Sequence, residues 1–325
     1  MNAVLEAPSP EPSCKDDSVL NEVRAGLRGR DKRLPSKLFY DAEGSALFEL
    51  ICQQPEYDLT RMEVCILKAY SVSIADALGL GVRLVEFGSG SGIKTRLLLD
   101  SLDSVETYVP VEISRTALTD SVHALRAEFP TLRIAPLDAD FTKRLSLPYS
   151  LAKRSIVFFP GSTLGNFEPP EAISLLRKIR ADVGNTGGAL IGIDLQKKVT
   201  EMEAAYNDRA GITARFTLNM LAHLNRRFGA DFDLGTFAHE AHYDAVHERI
   251  ETRLVSQVYQ VVTIAGERFS FSRGEAIQVE YSHKYTLDGF EQMARKASLR
   301  VAHAWTDPRR RFAVVYLESV AISRK

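Results

Sequence analysis

Short apolar segments alternate with helical ones between residues 83 and 194, and this alternation constrains the fold more than any other feature of the chain. The apolar segments have the length and the β-branched and aromatic content of buried strands, and they span residues 83–87, 107–111, 132–136, 155–159 and 189–194. Strands that are apolar on both faces and separated by helices form parallel sheets with helices packed on each side. The sequence therefore predicts a doubly wound α/β sheet domain.

The rest of the chain departs from this alternation. Residues 199–228 carry helical spacing, whereas residues 249–262 and 267–285 alternate like antiparallel strands. The last part of the chain predicts a helix and a hairpin that return to the edge of the main sheet. A length of 325 residues suits a sheet domain that is interrupted by a second domain.

These patterns divide the chain into stretches with different predicted roles. They are a disordered tail at 1–18, part of a substrate domain at 19–60, a cofactor-binding sheet domain at 61–196, an inserted α+β part of the substrate domain at 197–285, and a C-terminal helix and hairpin that complete the sheet at 286–325. The tail is rich in proline, serine and acidic residues, which is typical of disorder.

The composition limits the partners of this chain. Lys and Arg total 41 against 42 Asp and Glu, so no basic field favours nucleic acid or an anionic membrane surface. No apolar run reaches the roughly 18 residues of a membrane span. The cysteines Cys14, Cys52 and Cys65 lack the spacing of a disulfide framework or a zinc site and suit a reducing cytoplasm. We expect a cytoplasmic, monomeric protein with a small-molecule substrate.

A glycine-rich turn follows the first predicted strand and opens a helix. It spans residues 86–92 and reads Glu-Phe-Gly-Ser-Gly-Ser-Gly. Glycines at such a position let the backbone turn tightly and approach a ligand closely. Glu112 ends the next strand, where a carboxylate can accept hydrogen bonds from both ribose hydroxyls of an adenosine cofactor.

The residues around this turn favour one adenosine cofactor over another. Asp140 and Phe141 follow the third predicted strand, where a carboxylate and an aromatic ring can bind and cover an adenine. The glycine spacing is one residue shorter than the dinucleotide pattern G-x-G-x-x-G. Glu86 precedes the turn, and its carboxylate suits a cationic sulfonium but would repel a pyrophosphate. S-adenosylmethionine is therefore favoured, with an NAD-dependent oxidoreductase as an alternative.

Several segments carry a resemblance to a known family. The most specific are residues 159–166, Phe-Pro-Gly-Ser-Thr-Leu-Gly-Asn, and residues 280–285, Glu-Tyr-Ser-His-Lys-Tyr. Others are Lys-Leu-Phe-Tyr-Asp at 37–41, Pro-Glu-Tyr at 55–57 and Ala-Tyr-Asn-Asp at 205–208. Beyond its N-terminal tail, the chain resembles the histidine Nα-methyltransferases of ergothioneine biosynthesis, which convert histidine to trimethylhistidine (hercynine).

The resemblance implies a seven-stranded class I methyltransferase sheet and an inserted domain that closes over the amino acid. The residues that it implies for S-adenosylmethionine, and for its product S-adenosylhomocysteine, are Glu86, Gly88, Ser89, Gly90, Lys94, Glu112, Asp140 and Phe141. The residues that it implies for L-histidine and its mono- and dimethyl forms are Phe48, Tyr57, Gly161, Asn166, Tyr206, Glu280 and Ser282. Tyr40 and Asn166 are the predicted catalytic residues.

The chemistry of the reaction agrees with these roles. Glu280 and Ser282 are two residues apart, so on a strand both side chains lie on one face. A carboxylate can accept the N–H of a neutral imidazole while a hydroxyl serves the other nitrogen. From spacing alone an exposed polar strand face is the commoner outcome, and the resemblance reverses that preference. No dedicated general base is evident, so burial must supply the unprotonated amine.

Some features keep alternatives open. His239, His242 and His247 lack the H-E-x-x-H spacing, and we predict no metal site. Asp58 and Thr252 stand where the family pattern has tyrosine and methionine, which puts strict histidine preference in doubt. The alternatives are a methyltransferase of the same build that acts on another amino acid or amine, the NAD-dependent oxidoreductase, and a non-catalytic subunit.

Overall fold

The structure is a computed structural model that describes residues 14–90 and 92–320. The helices, in chain order, are α1 (Cys14–Arg28), α2 (Ala42–Gln53), α3 (Leu59–Ala69), α4 (Ser71–Leu78), α5 (Ile93–Ser101), α6 (Arg115–Glu128), α7 (Pro169–Val183), α8 (Val199–Ala204), α9 (Ile212–Phe228) and α10 (Leu287–Arg295). Short 3₁₀ helices cover Ser36–Phe39, Thr163–Asn166 and Leu234–Thr236.

The strands form a large sheet, a smaller sheet and a separate hairpin. In chain order they are β1 (Lys32–Arg33), β2 (Val82–Phe87), β3 (Val105–Glu112), β4 (Leu137–Asp138), β5 (Ser155–Phe159), β6 (Gly188–Asp194), β7 (Phe237–Asp244), β8 (Arg249–Ser256), β9 (Gln260–Ile264), β10 (Glu267–Phe271), β11 (Ala276–His283), β12 (Leu299–Thr306) and β13 (Phe312–Ser319). The hairpin consists of β9 and β10.

The main sheet has seven strands in the order β12-β13-β6-β5-β2-β3-β4. Its neighbouring strands from β6 to β4 are parallel, and β13 returns antiparallel to β6. Each face of the sheet carries an apolar core, because the central strands are buried along their whole length. The predicted doubly wound α/β class with a seven-stranded sheet is confirmed, including the return of the C-terminal hairpin to its edge.

The second sheet combines a strand from the N-terminal part of the chain with strands that follow the parallel segment. Its order is β1-β11-β8-β7, and β1 pairs in parallel with β11. The backbone N–H of Leu34 extends this pairing by donating to the Gln278 carbonyl at 2.9 Å. Residues 32–34 are therefore joined to a strand from the segment that follows the parallel strands.

Several element boundaries differ from those expected. The third strand, expected over residues 132–136, is reduced to a bridge between Tyr108 and Ile134 followed by β4. Pro136 has no N–H to donate, which interrupts the ladder at this point. Helix α1 already begins at Cys14, so residues 14–18 of the predicted tail are helical, while residues 1–13 lie outside the described residues.

Other segments hold more elements than their patterns indicated. The stretches 249–262 and 267–285 contain two strands each, and the stretch 199–228 contains α8 and α9. Strand β7 was not predicted, because most of its residues are only partly buried and its charged and histidine residues hide the alternation. In the parts of the chain that the structure describes, no helix combines the length and the apolar character that crossing a membrane requires.

Helix α2 packs unusually closely against the segment before it. Asp41 caps the helix by accepting a hydrogen bond from the Gly44 N–H, and the Asn219 amide donates to the same oxygen at 2.8 Å. Gly44 faces the Phe39 carbonyl so closely that a Cβ would lie 1.7 Å from its oxygen. The Gly44 contact holds the segment before α2 against that helix, and the hydrogen bond from Asn219 joins it to α9.

A Gly44→Ala substitution is expected to lower the free energy of unfolding, because a Cβ would collide with the Phe39 backbone. In an ordinary helix the same change stabilises by about 1 kcal/mol. Urea unfolding monitored by circular dichroism measures the difference. Ala46→Gly, at an exposed position of the same helix, measures how much alanine and glycine differ in helix propensity in this protein. A Gly44→Ala protein at least as stable as wild type would contradict the close contact.

Candidate active site

One cleft of about 1460 Å³ opens at the carboxyl ends of the parallel strands. The loops after β2, β3 and β5 line it together with the segment around α2, the start of α9 and strand β11. The lining contains every site residue predicted above: Tyr40, Phe48, Tyr57, Glu86, Gly88, Ser89, Gly90, Lys94, Glu112, Asp140, Phe141, Gly161, Asn166, Tyr206, Glu280 and Ser282. Residues that are scattered along the sequence are therefore brought to one place.

The glycine turn has the form of a ligand cradle. Gly88 and Gly90 have φ angles of +75° and +45°, and a Cβ on either would meet no atom within 4 Å. Between them Ser89 is buried, and its hydroxyl has no hydrogen-bond partner. A buried polar atom without a partner is costly unless a ligand satisfies it. The turn therefore fits a bound polar cofactor.

Two carboxylates and an aromatic ring continue this part of the cleft. One oxygen of Glu112 accepts from the backbone N–H groups of Ile113 and Ser114, and burial raises the pKa of this carboxyl. Phe141 stacks on Phe87 with ring centroids 5.2 Å apart and planes tilted by only 10°. Asp140 accepts from the Thr142 N–H at 2.9 Å, which holds its carboxylate beside that ring.

Glu86 has a different setting from the one its sequence position suggested. It is almost completely buried, and its carboxylate accepts hydrogen bonds from the hydroxyls of Thr95 and Tyr108. Burial raises the pKa of this carboxyl to about 7, although both hydroxyls and the charge of Lys94 oppose the shift. Glu86 lines the cleft at the start of the turn, while its carboxylate is engaged by the protein interior.

Sequence analysis missed Glu63, which organises one wall of the cleft. This fully buried residue of α3 lies 2.5 Å from the ammonium of Lys94, and both its oxygens accept from the Gly161 N–H at 3.0 and 3.1 Å. Gly192 leaves the necessary space, because a Cβ there would lie 2.4 Å from a Glu63 oxygen. The available sign was an acidic residue on the buried face of an amphipathic helix, four residues after Leu59.

The opposite end of the cleft is polar, with Ser282 and Tyr206 buried and Asn166 and Glu280 half-buried. The Asn166 amide donates to Glu280 at 3.1 Å, and burial raises the pKa of that carboxyl to about 7. Ser282, two residues further on β11, accepts from the hydroxyl of Tyr206 at 2.7 Å and from the ammonium of Lys284 at 2.8 Å. A carboxylate and a hydroxyl therefore face the cleft from one strand.

Aromatic rings line the space between these two ends. The rings of Tyr40 and Phe48 are 5.8 Å apart, and those of Phe48 and Tyr57 are 6.2 Å apart. Phe216 of α9 completes the cluster at about 6 Å from Tyr40 and Phe48. Sequence analysis missed Phe216, because a lone aromatic residue in an amphipathic helix is usually a core residue.

The comparisons with known proteins agree on a family. Residues 19–319 match the family described as histidine-specific methyltransferase, SAM-dependent. This chain belongs to that family. It is 37% identical over 297 residues to the histidine N-alpha-methyltransferase of Mycolicibacterium smegmatis, covering 90% of this chain and 92% of the relative.

Two further proteins are similar to this histidine-specific methyltransferase. The histidine N-alpha-methyltransferase of Mycobacterium tuberculosis is 35% identical over 295 residues, which cover 89% of this chain and 91% of that protein. The solved CcbJ methyltransferase of Streptomyces caelestis has a TM-score of 0.46 and 18% identity, covering 78% of this chain and 90% of that one. The predicted family, the methyltransferase activity and the S-adenosylmethionine cofactor are confirmed, and the NAD-dependent alternative is set aside.

The two departures from the family pattern have clear settings in this methyltransferase. Asp58 accepts a hydrogen bond from Arg311 at 2.6 Å, so its carboxylate is tied to the last hairpin. Thr252 lies directly opposite Glu280 in the register of β8 and β11. Its side chain is buried, and its hydroxyl has no partner. An unsatisfied hydroxyl therefore stands next to the strand position of Glu280.

The histidine cluster of β7 has protein partners of its own. His239 contacts the Thr217 hydroxyl through Nδ1 and the Tyr206 carbonyl through Nε2, so it helps to hold Tyr206. In the described part of the chain, a group whose ligand atoms lie within 4.8 Å of one another is Asp244, His247 and Glu251. Glu251 in that group already forms ion pairs with two arginines, which compete with a cation.

Glu63→Gln keeps the size of the side chain but removes the charge that pairs with Lys94. We expect it to weaken S-adenosylmethionine binding by about tenfold, equivalent to ~1.4 kcal/mol, because Lys94 and the Gly161 loop lose their common anchor. Isothermal titration calorimetry measures the change. Glu128→Gln removes the charge from another ion pair of α5, with Arg96, and should leave the affinity unchanged. Equal affinities in wild type and Glu63→Gln would contradict the anchoring role.

Proposed function

We propose that this enzyme methylates the α-amino group of L-histidine in three successive transfers from S-adenosylmethionine, giving hercynine and S-adenosylhomocysteine. The observation that carries the proposal is the pair of Glu280 and Ser282, which line the cleft from one strand, with Ser282 buried and Glu280 half-buried. A carboxylate and a hydroxyl at this spacing match the N–H and the lone pair of a neutral imidazole. An apolar amino acid would leave the remaining hydrogen-bonding capacity of both groups unused, which is costly.

The cofactor residues form one half of the proposed site. The turn of Gly88, Ser89 and Gly90 would receive the methionyl part, with Lys94 beside its carboxylate and Glu86 behind the turn. The buried carboxylate of Glu112 would accept hydrogen bonds from the ribose hydroxyls. Asp140 and Phe141 would bind and cover the adenine, a role supported by the stacked position of the Phe141 ring.

The substrate residues form the other half. Asn166 lies 3.1 Å from Glu280, so its amide is placed to contact both the imidazole end and the amino acid backbone. Tyr57 and Tyr206 would hold the backbone and the ring, while Gly161 and Phe48 would lie near the amino group. The left-handed backbone of Gly161, with φ of +82°, leaves room for such a close approach.

Tyr40 would act on the reacting amine as a neutral hydroxyl. Burial raises the pKa of Tyr40 far above its ordinary value, so this group does not form a phenolate base. The site would instead favour the unprotonated amine by burial, because removal from water disfavours the charged ammonium. The aromatic faces of Tyr40, Phe48 and Phe216 suit the quaternary ammonium that forms last and cannot donate hydrogen bonds.

The division of the chain follows from this arrangement. We propose that residues 19–60 and 197–285 form the substrate domain, because β1 and β11 belong to one sheet and α2 packs on α9. Residues 61–196 and 286–325 would form the cofactor domain. Location in the cytoplasm fits the free thiols of Cys52 and Cys65. A monomeric state and a role in ergothioneine biosynthesis complete the proposal.

One observation favours a second candidate, a related methyltransferase with a different amino acid or amine as substrate. Thr252 is smaller and more polar than the methionine of the family pattern, and its buried hydroxyl has no partner next to Glu280. A side chain with an additional polar atom would satisfy that hydroxyl. Histidine remains first because Glu280 and Ser282 already match both ring nitrogens.

Mass spectrometry of a reaction with S-adenosylmethionine and a panel of amino acids tests the substrate directly. Histidine is expected to gain three methyl groups and to react faster than tryptophan, tyrosine, lysine or arginine. Dimethylhistidine is expected to give the same final product. No trimethylated histidine, or a faster product from another amino acid, would refute the proposal.

Glu280→Ala tests the imidazole contact. Loss of the half-buried carboxylate is expected to weaken histidine binding by about 1–3 kcal/mol, or roughly 5- to 150-fold, while S-adenosylhomocysteine binding stays the same. Calorimetry with each ligand separates the two effects. Glu240→Ala removes an exposed carboxylate from strand β7 of the same sheet and serves as the matched control. Unchanged histidine affinity in Glu280→Ala would remove this residue from the imidazole site.

A further inference from the structure

A buried lysine lies directly behind the polar end of the cleft. Lys284 is 2% exposed, and its ammonium is 2.8 Å from the Ser282 hydroxyl and 3.3 Å from the Tyr206 hydroxyl. Its third neighbour is the Asp194 carboxylate, which forms an ion pair with it at 2.8 Å. Burial alone would lower the pKa of Lys284, but Asp194 raises it above its ordinary value, so the group stays an ammonium.

An ammonium can donate hydrogen bonds but cannot accept any. The hydroxyls of Ser282 and Tyr206 each accept one from Lys284, and they are joined to each other at 2.7 Å by one O–H···O bond. That bond uses one of the two hydroxyl protons. The other proton has no acceptor among Ser282, Tyr206 and Lys284, whichever of the two hydroxyls donates in the shared bond. The pair must therefore present a donor outward, and both of its members line the cleft.

With Glu280 ionised, the charges around this end of the cleft balance without a charged ligand, and protonation of Glu280, whose pKa burial raises to about 7, leaves this end net positive. Glu280 and Asp194 are the carboxylates, and Lys284 and Lys197 are the cations, with Lys197 2.8 Å from Asp194. The other titratable groups next to Glu280 or Tyr206 are Tyr40, Tyr57 and His239. Burial keeps both phenols neutral by raising their pKa values, and it lowers the pKa of His239, whose Nε2 contacts the Tyr206 carbonyl. A protonated imidazole would add an uncompensated charge and would bring an N–H against the outward donor.

We propose that Lys284 is a positioning residue that commits the Ser282–Tyr206 pair to donate, so that the site binds neutral imidazole in one tautomer and rejects imidazolium. This inference rests on the proposed function, because it takes an imidazole as the ligand. The ring N–H then faces Glu280, and the ring lone pair faces Ser282 and Tyr206. The preferred ligands are rings that offer one N–H and one lone pair at these two positions.

NMR of histidine labelled with ¹⁵N in its ring, bound to the enzyme with S-adenosylhomocysteine, reads the protonation state directly. At about pH 5.5, where free imidazole is mostly protonated, the bound ring is expected to show one protonated and one unprotonated nitrogen. Histidine affinity is expected to fall about tenfold for each pH unit below the imidazole pKa, since only the neutral form binds. Two imidazolium-type nitrogens in the wild-type complex would overturn the inference, whereas no binding of histidine would overturn the proposed function.

The double variant Lys284→Met with Asp194→Asn tests the role of Lys284 without leaving an unpaired buried carboxylate. Its hydroxyl pair is free to accept, so imidazolium-type nitrogens are expected at about pH 5.5, with an affinity that changes less than about twofold over the same range. Lys197→Met removes the other cation at Asp194 without touching the hydroxyls and should behave as wild type. A neutral ring in the double variant would assign the selection to another group.

Two further measurements keep the inference testable. A Glu280→Gln background removes the titration of Glu280 while its amide oxygen still accepts the ring N–H, so the pH dependence that remains belongs to the ligand. Pyrrolylalanine keeps an N–H but has a C–H in place of the lone pair, and wild-type enzyme is expected to bind it at least about tenfold more weakly than histidine. Equal binding of the two rings would contradict an outward donor, even where the double variant does not fold.

Discussion

The buried ion pair between Asp194 and Lys284 is the interaction on which the active site depends. Asp194 ends β6 of the main sheet, and Lys284 directly follows β11 of the second sheet, so the pair joins the two sheets. The Tyr285 N–H also donates to the Asp194 carbonyl, which makes this junction continuous in the backbone. Removal of one member of such a buried pair typically costs about 3–5 kcal/mol, because the other charge is left without compensation. This junction therefore connects the main sheet to the strand that carries Glu280 and Ser282.

A buried charge also organises the end of the cleft that contains the glycine turn. Glu63 links α3 to Lys94 of α5 and to the Gly161 backbone after β5. These buried charges are not surface ion pairs of small effect, since Glu63 and Lys284 are almost fully excluded from water. Each one sets the position and the hydrogen-bonding direction of a group that lines the cleft. Both ends of the cleft are therefore held by polar residues just behind the lining.

Prediction from sequence succeeded where local patterns carry the information. The central strands are apolar along their whole length, so their pattern indicated a parallel sheet, and the glycine turn after β2 was expected at a ligand site and lines the cleft. Glu63 and Lys284 could not be assigned, because their partners are distant in sequence and only the tertiary fold brings them together. Strand β7 and the reduced third strand were misjudged because partial burial and Pro136 disturb the periodicity on which strand prediction rests. The family resemblance supplied the substrate pair, whose spacing alone was ambiguous.

The parallel pairing of Lys32 with Ile277 also has a consequence for the order in which the molecule assembles. The ribosome releases the first strand of the second sheet long before its neighbour β11 exists, whereas β2, β3, β5 and β6 emerge in between. The central parallel strands can therefore pair while the N-terminal segment still waits for its partner. Contacts between such distant segments form late, because closing a long loop costs entropy before it is rewarded. The part of the cleft that is lined by β11 and by the segment around α2 thus becomes complete only after nearly the whole chain has been made.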